Sequence, residues 1–142
     1  MKKLALLLTM VLTFALSCVC FAADGGDLNK EQRAAEKIVS ALEGDAATEY
    51  TAIAAGLSPE LNQKLGVNGY TAIQKQVKEQ LGSLKSNTFR SFERFGNMDR
   101  VIYVAEFSKE KIVALVFDFN KSNKMVNFSF VPQKPAENAE KK

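Results

Sequence analysis

The chain has 142 residues, 46% of them hydrophobic and 25% charged, with a formal net charge of +3, the profile of a single globular domain. It has no His and no Trp, and its two cysteines are Cys18 and Cys20. The rest of the chain therefore cannot build a Ser-His-Asp triad, a Cys-His pair, or a zinc, copper or haem site with the usual ligands.

At the N-terminus, Lys2 and Lys3 precede an uncharged apolar run from Leu4 to Leu16, and small residues follow before Asp24. This is the layout of a secretory signal peptide. The run is shorter than the roughly 20 residues that span a membrane. Two processing routes fit. Cleavage after Ala22, with Cys20 and Ala22 at the two small positions before the bond, leaves Ala23 as the new N-terminus. Alternatively, Phe14-Ala15-Leu16-Ser17-Cys18 resembles a bacterial lipobox, with Ala15 where a larger aliphatic residue is usual, and would make Cys18 a lipidated N-terminus. The first route implies a periplasmic or secreted product, the second an envelope lipoprotein held to the membrane by its lipid. Removing Lys2 and Lys3 leaves 17 of the 19 basic side chains against 16 acidic ones. A domain at +1 offers no electrostatic case for nucleic-acid binding. Without cysteine it also has no disulfide framework, and its stability must come from an apolar core. The expected organisation is a signal peptide at 1–22, a flexible linker at 23–28, a single domain at 29–131 and a disordered charged tail at 132–142.

Asp24-Gly25-Gly26-Asp27 reads as a joint, since it lacks the spaced carboxylates of a calcium loop. Ala35, Ile38, Val39 and Leu42 then recur at helical spacing, Gly44 stands where a left-handed cap would end the helix, and Asp45 can cap the next. The second helix is Ala-rich, carries Tyr50 and Ile53, and stops at Gly56. Ser58-Pro59-Glu60 starts a short third helix with Leu61 and Leu65 inside. A further helix from about Asn68 to Leu81 carries Tyr70, Ile73, Val77 and Leu81, and Gly82 ends it.

Beyond Gly82 the period changes to two. Eight of the ten Phe residues lie between Phe89 and Phe130. Val101, Tyr103, Ala105 and Phe107 alternate with Ile102, Val104 and Glu106; Ile112 to Phe117 is continuously apolar; Val126, Phe128 and Phe130 alternate with Asn127 and Ser129. Turn compositions at 96–99, 108–111 and 120–123 separate these runs, and such short connections demand antiparallel neighbours. The fold class expected is α+β, with N-terminal helices packed on a curved antiparallel meander of about four strands. The run at Ile112–Phe117 is apolar on both faces, so either the sheet curls around a pocket or a second subunit covers its outer face. A homodimer through the sheet is the preferred account.

Ala35 to Asp45, Leu81 to Ser86, and the runs Val116–Asn120 and Lys124–Val126 resemble the small exported bacterial members of the nuclear-transport-factor-2-like (cystatin-like fold) superfamily. The resemblance implies a cone-like α+β roll with a pocket between helices and sheet. The chain departs from that pattern in lacking a strand pair between its early helices.

The glycines are isolated helix-enders and turn residues, so no phosphate loop or dinucleotide fingerprint exists. Phe89-Arg90-Ser91-Phe92-Glu93-Arg94-Phe95 mixes aromatic and basic residues, but Glu93 and the neutral balance favour an edge strand over a nucleic-acid platform. No metal and no cofactor is expected. The candidate ligand-binding residues are Tyr50, Tyr70, Tyr103, Phe117, Asp118 and Phe128. The expected function is an exported, non-enzymatic cell-envelope domain holding a small apolar ligand or peptide between helices and sheet. The alternatives are an assembly module using the outer sheet face, and a cofactor-free isomerase or lyase-like enzyme using Tyr or Asp.

Overall fold

The computed structural model describes residues 26–44 and 46–134. The unit from Glu31 onward carries the fold. Helix α1 is described over residues 26–41. Residues 26–28, expected in a linker, are thus helical. The signal-peptide, cleavage and lipidation expectations at Cys18, Ala22 and Ala23 fall outside the described residues, as do the cap at Asp45 and the tail beyond Lys134.

Ala35, Ile38, Val39 and Leu42 are all buried, as their spacing requires. Gly44 is not left-handed. The helix instead unwinds through tighter bonds, Leu42 N–H to Val39 O and Gly44 N–H to Ala41 O. Helix α2 (Ala46–Ala54) buries Tyr50 and Ile53. Helix α3 (Pro59–Gln80) contains the two predicted helical segments, which meet at a kink at Gly66, whose non-helical φ of 57° and ψ of 177° are accessible only to glycine. Its N-cap is Ser58, whose Oγ accepts the Leu61 N–H at 3.2 Å, with Pro59 at the first helical position. Gly82, at a φ of 83°, ends α3 by donating to Val77 O.

The strands are β1 (Leu84–Arg94), β2 (Met98–Phe107), β3 (Val113–Asn120) and β4 (Met125–Pro132). They form one antiparallel meander in the order β1-β2-β3-β4. Fold class and strand number are those the periodicity predicts. Met98 and Asp99, expected in a turn, already belong to β2, and Pro132 belongs to β4 rather than the tail. Across one face run the rows Phe92–Val101–Phe117–Phe128 and Phe89–Tyr103–Leu115–Phe130. That face joins the buried side chains of the three helices in one core. The opposite face carries Arg100–Asp118–Asn127, Ile102–Val116–Ser129 and Val104–Ala114–Val131. Irregularities near Leu84, Phe89 and Asp118 break the ladders, and such bulges bend and twist a sheet.

Candidate functional site

Four of the six candidate residues are core. Tyr70 and Phe117 are fully buried, and Tyr50 and Tyr103 nearly so. Tyr50 donates its hydroxyl to the side-chain and backbone carbonyls of Asn62, and its ring lies 5.9 Å from that of Tyr70. Tyr103 donates to Glu36 Oε1 at 3.1 Å and meets Phe89 and Phe117 edge-on. Burial, with the Glu49 carboxylate adding to it, pushes the Tyr70 phenol up to about 12, while a smaller interaction with the Gln74 amide acts the other way. Burial is also the main cause for Tyr103, pushed up to about 12 with Glu36 adding to the effect and Gln32 opposing it. Both phenols stay protonated at neutral pH, so neither is a ready general base.

Asp118 lies on the other face of the sheet. Its carboxylate accepts from Arg100 Nε at 2.7 Å and from Asn127 Nδ2 at 3.3 Å. It acts as a cross-strand tie and does not meet the tyrosines. Of the six, Phe128 lines a cleft.

That cleft lies between α3 and β4 and encloses about 210 Å³. Helical spacing sets Ile73, Gln76, Val77, Gln80 and Leu81 on one face of α3, and strand alternation sets Phe128, Phe130 and Pro132 on the facing side of β4. Val77 and Leu81 are buried at its floor; Ile73, Phe128 and Phe130 are half-buried, and the two glutamines are exposed at the rim. No lining side chain titrates. The cleft can therefore bind by apolar burial and amide hydrogen bonds but offers no acid or base. Ile73, Val77 and Leu81 were legible as an inner helix face, and nothing in their spacing distinguished a half-open cleft from a closed core.

A larger depression of about 440 Å³ is lined by residues that include Leu42, Glu43, Gln74, Lys78, Ser83 and Phe107. Two of its polar side chains, Gln74 and Glu43, hold elements together. Gln74 Nε2 donates to Ala41 O at 2.6 Å and to Gly44 O at 3.3 Å, and Glu43 Oε1 accepts the Leu84 N–H at 2.8 Å. Among the described residues no three His, Cys, Asp or Glu side chains converge on a metal-sized site, and no helix is long and apolar enough to cross a membrane. The chain matches no family model, no curated protein and no solved structure.

Proposed function

We propose that this protein is an exported, non-enzymatic binding domain that takes an apolar ligand or peptide in the α3–β4 cleft. The observation that carries the reading is a cleft walled by Ile73, Val77, Phe128 and Phe130 with no titratable side chain in its lining. Export rests on the Lys2-Lys3 and Leu4–Leu16 pattern of the sequence. The cleft volume is below the roughly 300 Å³ at which pockets for drug-sized ligands begin. It suits a fragment or one large side chain. The test is saturable binding of the apolar fluorophore N-phenyl-1-naphthylamine, compared with Ile73→Arg, which places a charge on the half-buried wall. Loss of binding with an unchanged far-ultraviolet spectrum supports the cleft; equal binding by the variant, or none by the wild type, removes it.

A second reading, an assembly module, is favoured by the outer sheet face. Ile102, Val104, Ala114 and Val116 are half-buried there although the core lies on the other side, and Val131 beside them is 43% exposed. A symmetric pairing of this face would complete their burial. Sedimentation equilibrium of wild type and Val116→Lys decides it: a dimer abolished by the lysine supports the reading, and a monomer at high micromolar concentration rejects it.

A further inference from the structure

The edge of β4 is a hydrogen-bonding template whose phase can be read from three bonds. Gln133 N–H donates to Ile112 O at 2.8 Å, continuing the register in which Val113 faces Pro132. Antiparallel ladders exchange bonds at every second pair. The main-chain groups of Val131, Ser129 and Asn127 therefore point to β3, and those of Phe130 and Phe128 point outward. Beyond the bulge the outward position falls at Met125, and there the edge is already occupied. Met125 N–H donates to Gly56 O and Met125 O accepts the Ser58 N–H, both at 2.8 Å, so that Leu57 forms a parallel bridge.

The chain thus supplies a single residue of a fifth strand and then leaves it, because Ser58 is the cap that sends the backbone into α3. Ahead of that point, the outward N–H and C=O groups of Phe128 and Phe130 continue the same template. The cleft stands beside them. Its lining comes from α3, the cap residue Leu81 and the edge strand β4, which sets it beside the open edge of the sheet.

We infer that an extended peptide adds to β4 as a fifth strand, continuing the line begun by Leu57 and seating one large apolar side chain in the α3–β4 cleft. This rests on the cleft reading above and gives its ligand a chemical class. Main-chain bonds supply affinity and the cleft supplies selectivity, the division of labour of strand addition. Neighbouring side chains of the added strand turn to the other face, beside exposed Val131. The edge and cleft carry no charge, so the central residues of the peptide are uncharged, and an acidic residue suits the end of the edge where exposed Lys134 lies two residues beyond Pro132.

The experiment is amide hydrogen exchange by nuclear magnetic resonance on the full chain. It uses a panel of seven-residue blocked peptides with Val, Ile, Leu or Phe at the centre, alternating Thr, and a terminal Glu. Each is paired with a copy N-methylated at alternate amides. The expected result is displacement of N-phenyl-1-naphthylamine, slowing of the Phe128 and Phe130 amides by about tenfold or more, and loss of both effects on N-methylation. Displacement without protection of those two amides, or binding indifferent to N-methylation, overturns strand addition and leaves the cleft reading standing. A fluorophore that binds while no peptide does has the same meaning. Failure of fluorophore and peptides together removes both. Protection that rises with protein concentration alone assigns the edge to a second copy and also overturns the proposal.

Discussion

Met125 and Leu57 bind the first and last thirds of the domain to each other: Leu57 lies parallel to the start of β4, with Gly56 O and Ser58 N–H taking both main-chain groups of Met125. Ser58 is the pivot. Its N–H holds the sheet, its Oγ caps α3 through Leu61 N–H, and it is 2% exposed. A buried cap leaves the freed helical N–H without water when it is removed.

Ser58→Ala is therefore expected to lower stability by about 1–2 kcal/mol, the upper part of the range for lost caps, because the site is buried. Ser58→Asp keeps an acceptor for the Leu61 N–H and should cost less. Urea unfolding with an unchanged slope checks both.

Gly82 and Gly66 both have positive φ, at 83° and 57°, but they differ in what a side chain would meet. A Cβ at Gly66 has nothing within 4 Å, whereas one at Gly82 would run into Ser108 Oγ. That hydroxyl in turn accepts the Ser83 N–H at 3.0 Å. Gly66→Ala should cost only its backbone strain, about 1–3 kcal/mol. Gly82→Ala should cost more, since it adds a clash and breaks the Ser83–Ser108 bond at the helix-to-sheet junction. Thermal melts that rank Gly66→Ala below Gly82→Ala would contradict this.

The buried phenols predict an alkaline limb. Tyr70 and Tyr103 are both pushed up to about 12, above the value near 10 of an unfolded chain. The folded state thus favours the protonated phenol, and this stabilisation is complete below about pH 10 and is lost as pH rises from there towards 12. Tyr70→Phe should weaken that pH dependence. At neutral pH the same variant should be neutral or slightly stabilising, because the buried Tyr70 hydroxyl has no partner of good hydrogen-bond geometry. Denaturant midpoints at pH 7 to 11 measure both effects.

The two halves of the fold were legible because their periods differ: Ala35, Ile38, Val39 and Leu42 repeat as a helix, Val101 to Phe107 as a strand, and the structure buries both sets as their periods require. The Gly44 cap was misread because composition marks a helix end without deciding between a left-handed cap and a tightened last turn. The start of β2 was misread for a related reason. Met98 and Asp99 have turn-like neighbours, yet Asp99 pairs with Arg94 and Phe119 across two ladders. The site was legible only in part. Phe128 is on the cleft, and strand alternation alone puts Asp118 on the face opposite its neighbour Phe117; which face Tyr103 shares with them follows only from the β2–β3 register, since a one-residue slip exchanges the two faces.

Asp99 carries the last prediction. Its carboxylate, almost without exposure, accepts from Arg94 Nε and Nη2 at 3.2 Å and from Lys121 Nζ at 2.7 Å, joining the β1–β2 hairpin to the β3–β4 turn. Burial alone would raise its pKa. The hydrogen bonds and charges of Lys121 and Arg94 outweigh that and hold it below the usual carboxylate value. A folded pKa below the unfolded one means that Asp99 contributes fully above about pH 4 and loses its contribution as pH falls through the lower folded value. Both cations keep substantial contact with water, so Asp99→Ala does not strand a buried charge and should cost about 1–3 kcal/mol. Asp99→Asn retains an acceptor but not the charge. The stability gap between wild type and Asp99→Asn should be constant from pH 7 to 5 and close below pH 4. A gap that stays open at pH 2 would show that shape and hydrogen bonding, rather than ionisation, hold this corner together.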